Sequence, residues 1–102
     1  MVTRTQILNA IADSTSVKVE ELKSRSRIEI VSCARQLYFN CARYLTKESY
    51  GFIGEICGRS HGSVLHGVRK VDELWQSNDQ MLSFMIENVD KKYPEIVKHL
   101  KK

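Results

Sequence analysis

Apolar residues recur at helical spacing along most of the chain. In the first stretch, TRTQILNAIA, the residues Ile7, Leu8 and Ile11 share one side of a helix, and the polar segment DSTS predicts the end of that helix near residue 12. A short helical turn follows, with Val19 and Leu22 predicted to point inward. Because no window shows the alternation of a half-buried strand, the pattern predicts an all-α fold.

The longest amphipathic stretch runs from Ile28 to Leu45. Its apolar positions fall within an arc of about 120° when successive residues are about 100° apart, which is typical of a helix with one broad buried face. These positions are Ile30, Val31, Ala34, Leu37, Tyr38, Cys41, Ala42 and Leu45. The pattern therefore predicts a central helix.

Two helices joined by a tight turn follow the central helix. Thr46 and Ser49 can cap a short helix in SYGFIGEIC, and Gly58 can end it in the left-handed conformation. Ser60 can cap the next helix immediately afterwards. This order predicts a helix-turn-helix, whose second helix fits the major groove of DNA.

The second of these helices has two distinct faces. Its apolar face holds Val64, Leu65, Val68, Val71 and Trp75, and its opposite face holds Gly62, Ser63, His66, Arg69 and Lys70. The first face predicts packing on the core. The second presents a hydroxyl, an imidazole and two cations, which suit a nucleic acid, although adjacent amphipathic helices also occur in any helical bundle.

A further apolar stripe lies on residues 79–89, and PEIVKHLKK adds a helical turn or two after the break at Pro94. The stripe consists of Met81, Leu82, Met85, Ile86 and Val89. It either completes the core or pairs two chains, in which case linked half-sites would compensate for the weak contacts of one small module. The alternative function is therefore an interaction module that forms a homodimer through residues 79–100.

The length of 102 residues suffices to bury one modest core. We expect a single domain over residues 1–102, with a core at 1–75 and a carboxy-terminal helical extension at 76–102. No apolar run has the length of a signal peptide or of a membrane span. We therefore expect a cytoplasmic, nucleoid-associated protein without a membrane partner.

Positive charge is concentrated in the middle of the chain. Residues 22–71 hold nine lysines and arginines against three glutamates, a net charge of +6, whereas the whole chain carries +4 and its flanks therefore −2. Such a region is either a solvated surface or one that attracts a polyanion. Together with the helix-turn-helix it favours double-stranded DNA as the partner.

Catalysis and metal binding have little support in the sequence. Cys33, Cys41 and Cys57 are odd in number and widely spaced, which fits neither a disulfide framework nor a C-x-x-C metal site, so we expect small buried residues. His61 and His66 lie about 140° apart around a helix and do not share one side, as a zinc-binding pair must. We expect no enzymatic activity, no metal and no cofactor.

Four motifs follow one another between residues 25 and 71. They are the basic loop RSR, a helix with the sequence A-R-Q, the segment LT..S...IG, and the signature GRSHGSVLH, which continues into Arg69 and Lys70. This series resembles the carboxy-terminal DNA-binding domain, domain IV, of the bacterial replication initiator DnaA, and the resemblance covers about residues 5–75. It implies a Trp-repressor-like helix-turn-helix fold that binds TTATCCACA-like sites in replication initiation or its regulation. The alternative is a transcription regulator, or a phage or mobile-element protein, with a different site.

The resemblance also implies roles for individual residues. Arg27, with Arg25 beside it, would enter the minor groove, where narrow A·T tracts attract cations. Arg35 would hold a phosphate and Gln36 would approach a base edge. The DNA-binding residues implied in this way are Arg25, Arg27, Arg35, Gln36, Lys47, Arg59, Ser60, His61, Gly62, Ser63, His66, Arg69 and Lys70.

The chain departs from the family pattern at two positions of the signature. Ser60 stands where an acidic residue is usual, and Gly62 stands where a threonine methyl can pack on thymine. We therefore expect weaker base recognition than in the family, with phosphate binding spared. No G-x-x-x-x-G-K-[ST] motif occurs, because GEICGRS has the wrong spacing and an arginine for the lysine, so we expect no nucleotide partner and no ATPase activity.

Overall fold

The structure, a computed structural model, describes residues 2–101, and the end residues Met1 and Lys102 of the predicted domain lie outside the described residues. Within that range the chain is all-α, as predicted, with no strand. The helices are α1 (Arg4–Thr15), α2 (Val19–Leu22), α3 (Glu29–Thr46), α4 (Tyr50–Glu55), α5 (His61–Gln76) and α6 (Gln80–Lys92), followed by 3₁₀ turns at Pro94–Ile96 and Lys98–Leu100. Among residues 2–101, no helix has the length and apolar character needed to cross a membrane.

Helix α1 extends further than the sequence predicts. Its start is a capping box, in which Thr3 and Gln6 exchange hydrogen bonds between side chain and backbone. The prediction that the helix ends near residue 12 is wrong, since α1 continues to Thr15, whose hydroxyl donates to the Ile11 carbonyl at 2.7 Å. Ser16 then ends the helix in the left-handed conformation, with φ at 60°.

Helix α3 is central and contacts each of the other five α-helices. Leu37 and Tyr38 are fully buried, and the Tyr38 hydroxyl donates to the carbonyl oxygen of Ile53 at 2.7 Å. One residue predicted to face inward is an exception, since Ile30 is 43% exposed. It lies in the first turn of α3, at the rim of the core, where it lines a groove together with Phe84 of α6.

Helix α6 packs against α1 and completes the core. Four residues of its apolar stripe are buried there, Leu82, Met85, Ile86 and Val89, and Met81 packs half-buried against them. The 3₁₀ turns add Ile96, Val97 and Leu100 to the same cluster. The stripe thus serves the core, and a homodimer formed through it would require α6 to leave α1.

Helices α4 and α5 meet across a tight turn. Ser49 and Ser60 cap the two helices with their hydroxyls and Gly58 takes a left-handed φ of 64°, as predicted, but α4 ends earlier than predicted, at Glu55. A Cβ at Gly54 would lie 2.6 Å from the carbonyl oxygen of Arg59, so glycine at this position allows the close approach of the turn to α4. The turn fixes the direction in which α5 leaves α4.

Candidate nucleic-acid interface

The burial of individual α5 residues confirms that this helix has one apolar face and one polar face. Val64, Val68 and Val71 are buried against the rest of the chain, with Leu65 and Trp75 half-buried at the boundary. The exposed residues on the other side are His61, Gly62, Ser63, His66 and Arg69, with Lys70 half-buried beside them. The structure therefore leaves the polar and basic side of α5 open to solvent.

Helix α5 lies very close to α3 at Gly67. A Cβ there would lie 2.7 Å from Cδ2 of Phe39, a distance that real Cβ atoms do not reach. This close approach places α3 side chains beside the start of α5. The cleft between the two helices is lined by Ser32, Arg35, Gln36, Phe39, Arg59, Gly62, Ser63 and His66.

A second cleft adjoins the first at the amino end of α5. It is lined by Arg25, Arg27, Gly58, Arg59, Ser60 and Ser63, so Arg59 and Ser63 belong to both clefts. The structure thus brings the loop of residues 23–28, here called the basic loop, next to the amino end of α5. We call the residues that line the two clefts, together with Arg69 and Lys70, the basic face.

The side chain of Arg35 is turned toward the basic loop. The residue is only 5% exposed, and its guanidinium donates to the carbonyl oxygens of Leu22 at 2.7 Å, Glu21 at 3.1 Å, Ser24 at 3.0 Å and Ser26 at 3.2 Å. Four of its five N–H donors are used in this way. Burial lowers the pKa of this guanidinium, which nevertheless stays charged. Most of the donors of Arg35 therefore hold the basic loop in place, and its contact with a phosphate stays a prediction.

Positive charge on the basic face is not neutralised by neighbouring carboxylates in the described part of the chain. The ion pairs found among residues 2–101 are Arg4–Glu55, Lys92–Asp13 and Lys101–Asp90, and none includes a cation of the basic face. Helix α5 also has no acidic residue in its first turn. Its free backbone N–H groups add positive potential at the same place, so the surface is suited to an anion.

Two predicted residues, His61 and Lys47, lie to the side of the two clefts. His61 contacts Tyr50 edge-on, with ring centroids 5.3 Å apart, and the guanidinium of Arg43 lies 4.5 Å from the centroid of the Tyr50 ring. Lys47 is exposed at the end of α3, with a left-handed φ of 60°. Tyr50 gave no signal in the sequence, because no spacing rule links it to His61 or to Arg43.

Sequence reasoning also missed two α3 residues of the first cleft. Ser32 lies one helical turn before Gln36, and this spacing of four would have placed it on the same side of α3. Phe39 is buried in the core, and the sequence does not show that it also lines the cleft beside Gly67.

The cysteines are buried and unpaired, as predicted. Burial raises the pKa of the Cys33 thiol to about 11 and also raises the pKa of Cys41 and Cys57, so none is a ready thiolate nucleophile. No group of three histidine, cysteine or acidic residues within residues 2–101 is placed to hold a metal ion.

The family model described as "Bacterial dnaA protein helix-turn-helix" matches residues 5–71. The chain belongs to this family. The match includes the basic loop, the central helix α3 and the first two thirds of α5, and it confirms both the helix-turn-helix fold and the resemblance seen in the sequence.

Members of the DnaA family are similar to most of the chain. The chromosomal replication initiator protein DnaA of Geobacter metallireducens is 41% identical over 91 residues, which cover 88% of this chain and 20% of that protein. The proteins of the same name from Nitrosospira multiformis and Aliarcobacter butzleri are 40% identical over 73 residues and 30% identical over 87 residues, covering 71% and 84% of this chain and 15% and 20% of those proteins. The chain therefore spans at most about a fifth of the length of these relatives.

Proposed function

We propose that the chain binds double-stranded DNA through the basic face. In this arrangement α5 enters the major groove and Arg27 enters the adjoining minor groove, at sites similar to TTATCCACA. The observation that carries the proposal is the convergence of Arg25, Arg27 and Arg59 around the amino end of α5, where cations and helix N–H groups share one surface.

The division of contacts follows from which groups are exposed. Gly62, Ser63 and His66 lie in the first two turns of α5, the part of a recognition helix that meets base edges. Gln36 of α3 lines the same cleft and adds an amide at its edge. Arg25 and Arg27 are exposed on a loop beside the helix, where they favour the backbone and the narrow groove of A·T-rich DNA.

The family supports a role in replication initiation or its regulation, because the relatives are named chromosomal replication initiator proteins. We propose that this chain acts on bacterial DNA in the cytoplasm by occupying its sites, without catalysis. Residues 1–102 lack the G-x-x-x-x-G-K-[ST] motif, so the proposed binding needs no nucleotide.

The salt dependence of duplex affinity tests the proposal. About four to six phosphate contacts predict that the logarithm of affinity falls with the logarithm of salt concentration with a slope of roughly −4 to −5. Arg25→Ala, which removes an exposed cation of the basic face, should make the slope shallower by about 1 and weaken binding evenly across sequences. Lys98→Ala, an exposed cation away from the basic face, is the matched control and should leave the slope unchanged. A slope near zero for the wild type would overturn the proposal.

A further inference from the structure

A chain of hydrogen bonds links the last helical turn of the described residues to α5. Nε2 of His99 lies 2.7 Å from Oδ1 of Asn40. The amide nitrogen of Asn40 then donates to the carbonyl oxygen of Val68 and to Oδ1 of Asp72, both at 3.0 Å. Asn40 is fully buried, so these bonds satisfy an amide that has no contact with water.

The geometry fixes which group donates to which. Because both N–H bonds of the Asn40 amide are used on α5, its oxygen must accept, and His99 must donate from Nε2. The other ring nitrogen, Nδ1, is buried and has no hydrogen-bond partner among residues 2–101. His99 is therefore held as the neutral ring with its proton on Nε2.

Tyr44 closes the arrangement from the side of α3. Its ring stacks on the imidazole of His99 with centroids 4.5 Å apart and planes 17° apart, and its hydroxyl lies 3.3 Å from Oδ2 of Asp72. The two carboxylate oxygens of Asp72 thus accept from two different residues of α3. Helices α3 and α5 and the 3₁₀ turn at Lys98–Leu100 thus meet in one polar cluster that extends from buried Asn40 to exposed Tyr44.

The polar cluster is hydrogen-bonded to α5 close to the residues proposed to contact DNA. Val68 and Asp72 are one turn apart on α5, and the exposed residues His66 and Arg69 flank Val68. At the neighbouring position, Gly67 allows α5 to approach α3 closely but makes no side-chain contact of its own. The hydrogen bonds from Asn40 therefore supply a directional contact that limits rotation and sliding of α5.

We propose that His99 is a positioning residue for DNA binding, which acts through Asn40 to hold α5 at the angle at which His66 and Arg69 face the groove. His99 lies beyond the family match, which ends at residue 71, and outside the basic face. The inference rests on the proposed function, since it concerns the affinity of the same face for DNA.

Variants of His99 that differ in one donor test this role. His99→Gln keeps an N–H donor near the position of Nε2, whereas His99→Leu keeps an apolar side chain of similar reach without a donor. At fixed salt, His99→Leu should weaken binding to a TTATCCACA duplex about three- to tenfold, and His99→Gln should stay within about twofold of the wild type. Lys98→Ala is the control in the same turn and should bind as the wild type does.

Amide hydrogen exchange in the free protein separates this proposal from the proposed function. The backbone amide of Asp72 lies one helical turn after Val68, whose carbonyl oxygen accepts from Asn40. This amide should exchange faster in His99→Leu than in the wild type or in His99→Gln. If the wild type fails to bind duplex DNA, the proposed function fails, but the exchange rates still test whether His99 holds α5 through Asn40. If the wild type binds and His99→Leu binds equally well, or if His99→Gln loses as much affinity as His99→Leu, the positioning role is overturned. Should circular dichroism show that His99→Leu does not fold, His99→Met replaces it in both measurements.

Discussion

Arg59 donates a hydrogen bond of 3.0 Å to the carbonyl oxygen of Ser24, thirty-five positions earlier in the chain. Arg35 donates to the same oxygen, also at 3.0 Å. The turn of the helix-turn-helix and the central helix thus hold the basic loop at one shared atom. A loop that is ordered before binding loses less conformational entropy when Arg25 and Arg27 meet DNA, which favours affinity.

Replacing Arg35 should destabilise the fold and not only weaken DNA binding. Arg35→Met removes the donors of four buried or half-buried carbonyl groups, so we expect the free energy of unfolding to fall by about 2–4 kcal/mol. Urea denaturation followed by circular dichroism measures this change. Arg25→Met, an exposed arginine of the same loop, should change the free energy by less than about 0.5 kcal/mol. Equal stability of Arg35→Met and the wild type would show that the loop does not depend on this arginine.

Two glycines of α5 should respond to alanine in opposite ways. Gly67→Ala places a methyl group 2.7 Å from the Phe39 ring and should destabilise the protein by about 1–3 kcal/mol. Gly62→Ala meets open space in the first helical turn and should stabilise it by about 0.4–1 kcal/mol. Thermal unfolding of the two variants checks the pair, and a stabilised Gly67→Ala would mean that α5 does not lie as close to α3 as described.

The helices and the two faces of α5 follow from local rules, and the sequence predicts them well. Caps at Ser49 and Ser60 and the left-handed Gly58 depend on neighbouring residues alone, so reading the chain locally suffices. The burial of Arg35 was missed because it depends on four carbonyl groups that only the folded loop brings together. The link from His99 to Asn40 spans 59 positions and has no local signal either.

Arg27 is expected to act in the minor groove, since it is exposed on the basic loop beside the amino end of α5. Arg27→Ala should reduce affinity most for duplexes that carry A·T pairs at one end of the site, where the groove is narrow and its negative potential strong. Fluorescence anisotropy with A·T-flanked and G·C-flanked duplexes measures the difference. The same loss on both duplexes would assign Arg27 to phosphate contact alone.

Stability should decrease as the pH falls below about 6.5, the ordinary pKa of histidine. Burial lowers the pKa of His99 in the folded protein, and the negative charge of Asp72 on α5 raises it by a smaller amount. The neutral ring of Tyr44 on α3 covers one side of the imidazole. The unfolded chain therefore takes up a proton on His99 more readily than the folded chain does. The contribution of His99 to the free energy of unfolding is complete above about pH 6.5 and is lost as the pH falls below it. Urea denaturation at pH 7.5 and pH 5.5, about one unit above and below the ordinary pKa, measures the free energy of unfolding. This free energy should decrease more for the wild type than for His99→Gln. Equal decreases in the two proteins would contradict this account of His99.

Competition binding at fixed salt, with a TTATCCACA duplex against a scrambled duplex of the same composition, tests the central claim most directly. The account predicts that the wild type prefers the TTATCCACA duplex. It also predicts that Gly62→Thr, whose methyl group enters open space on the exposed side of α5, raises this preference by about fourfold through one added contact with thymine. Gly62→Ser lacks that methyl group and should leave the preference close to that of the wild type. Equal affinity of the wild type for the two duplexes, with no gain from Gly62→Thr, would contradict the claim that the basic face recognises this sequence in DNA.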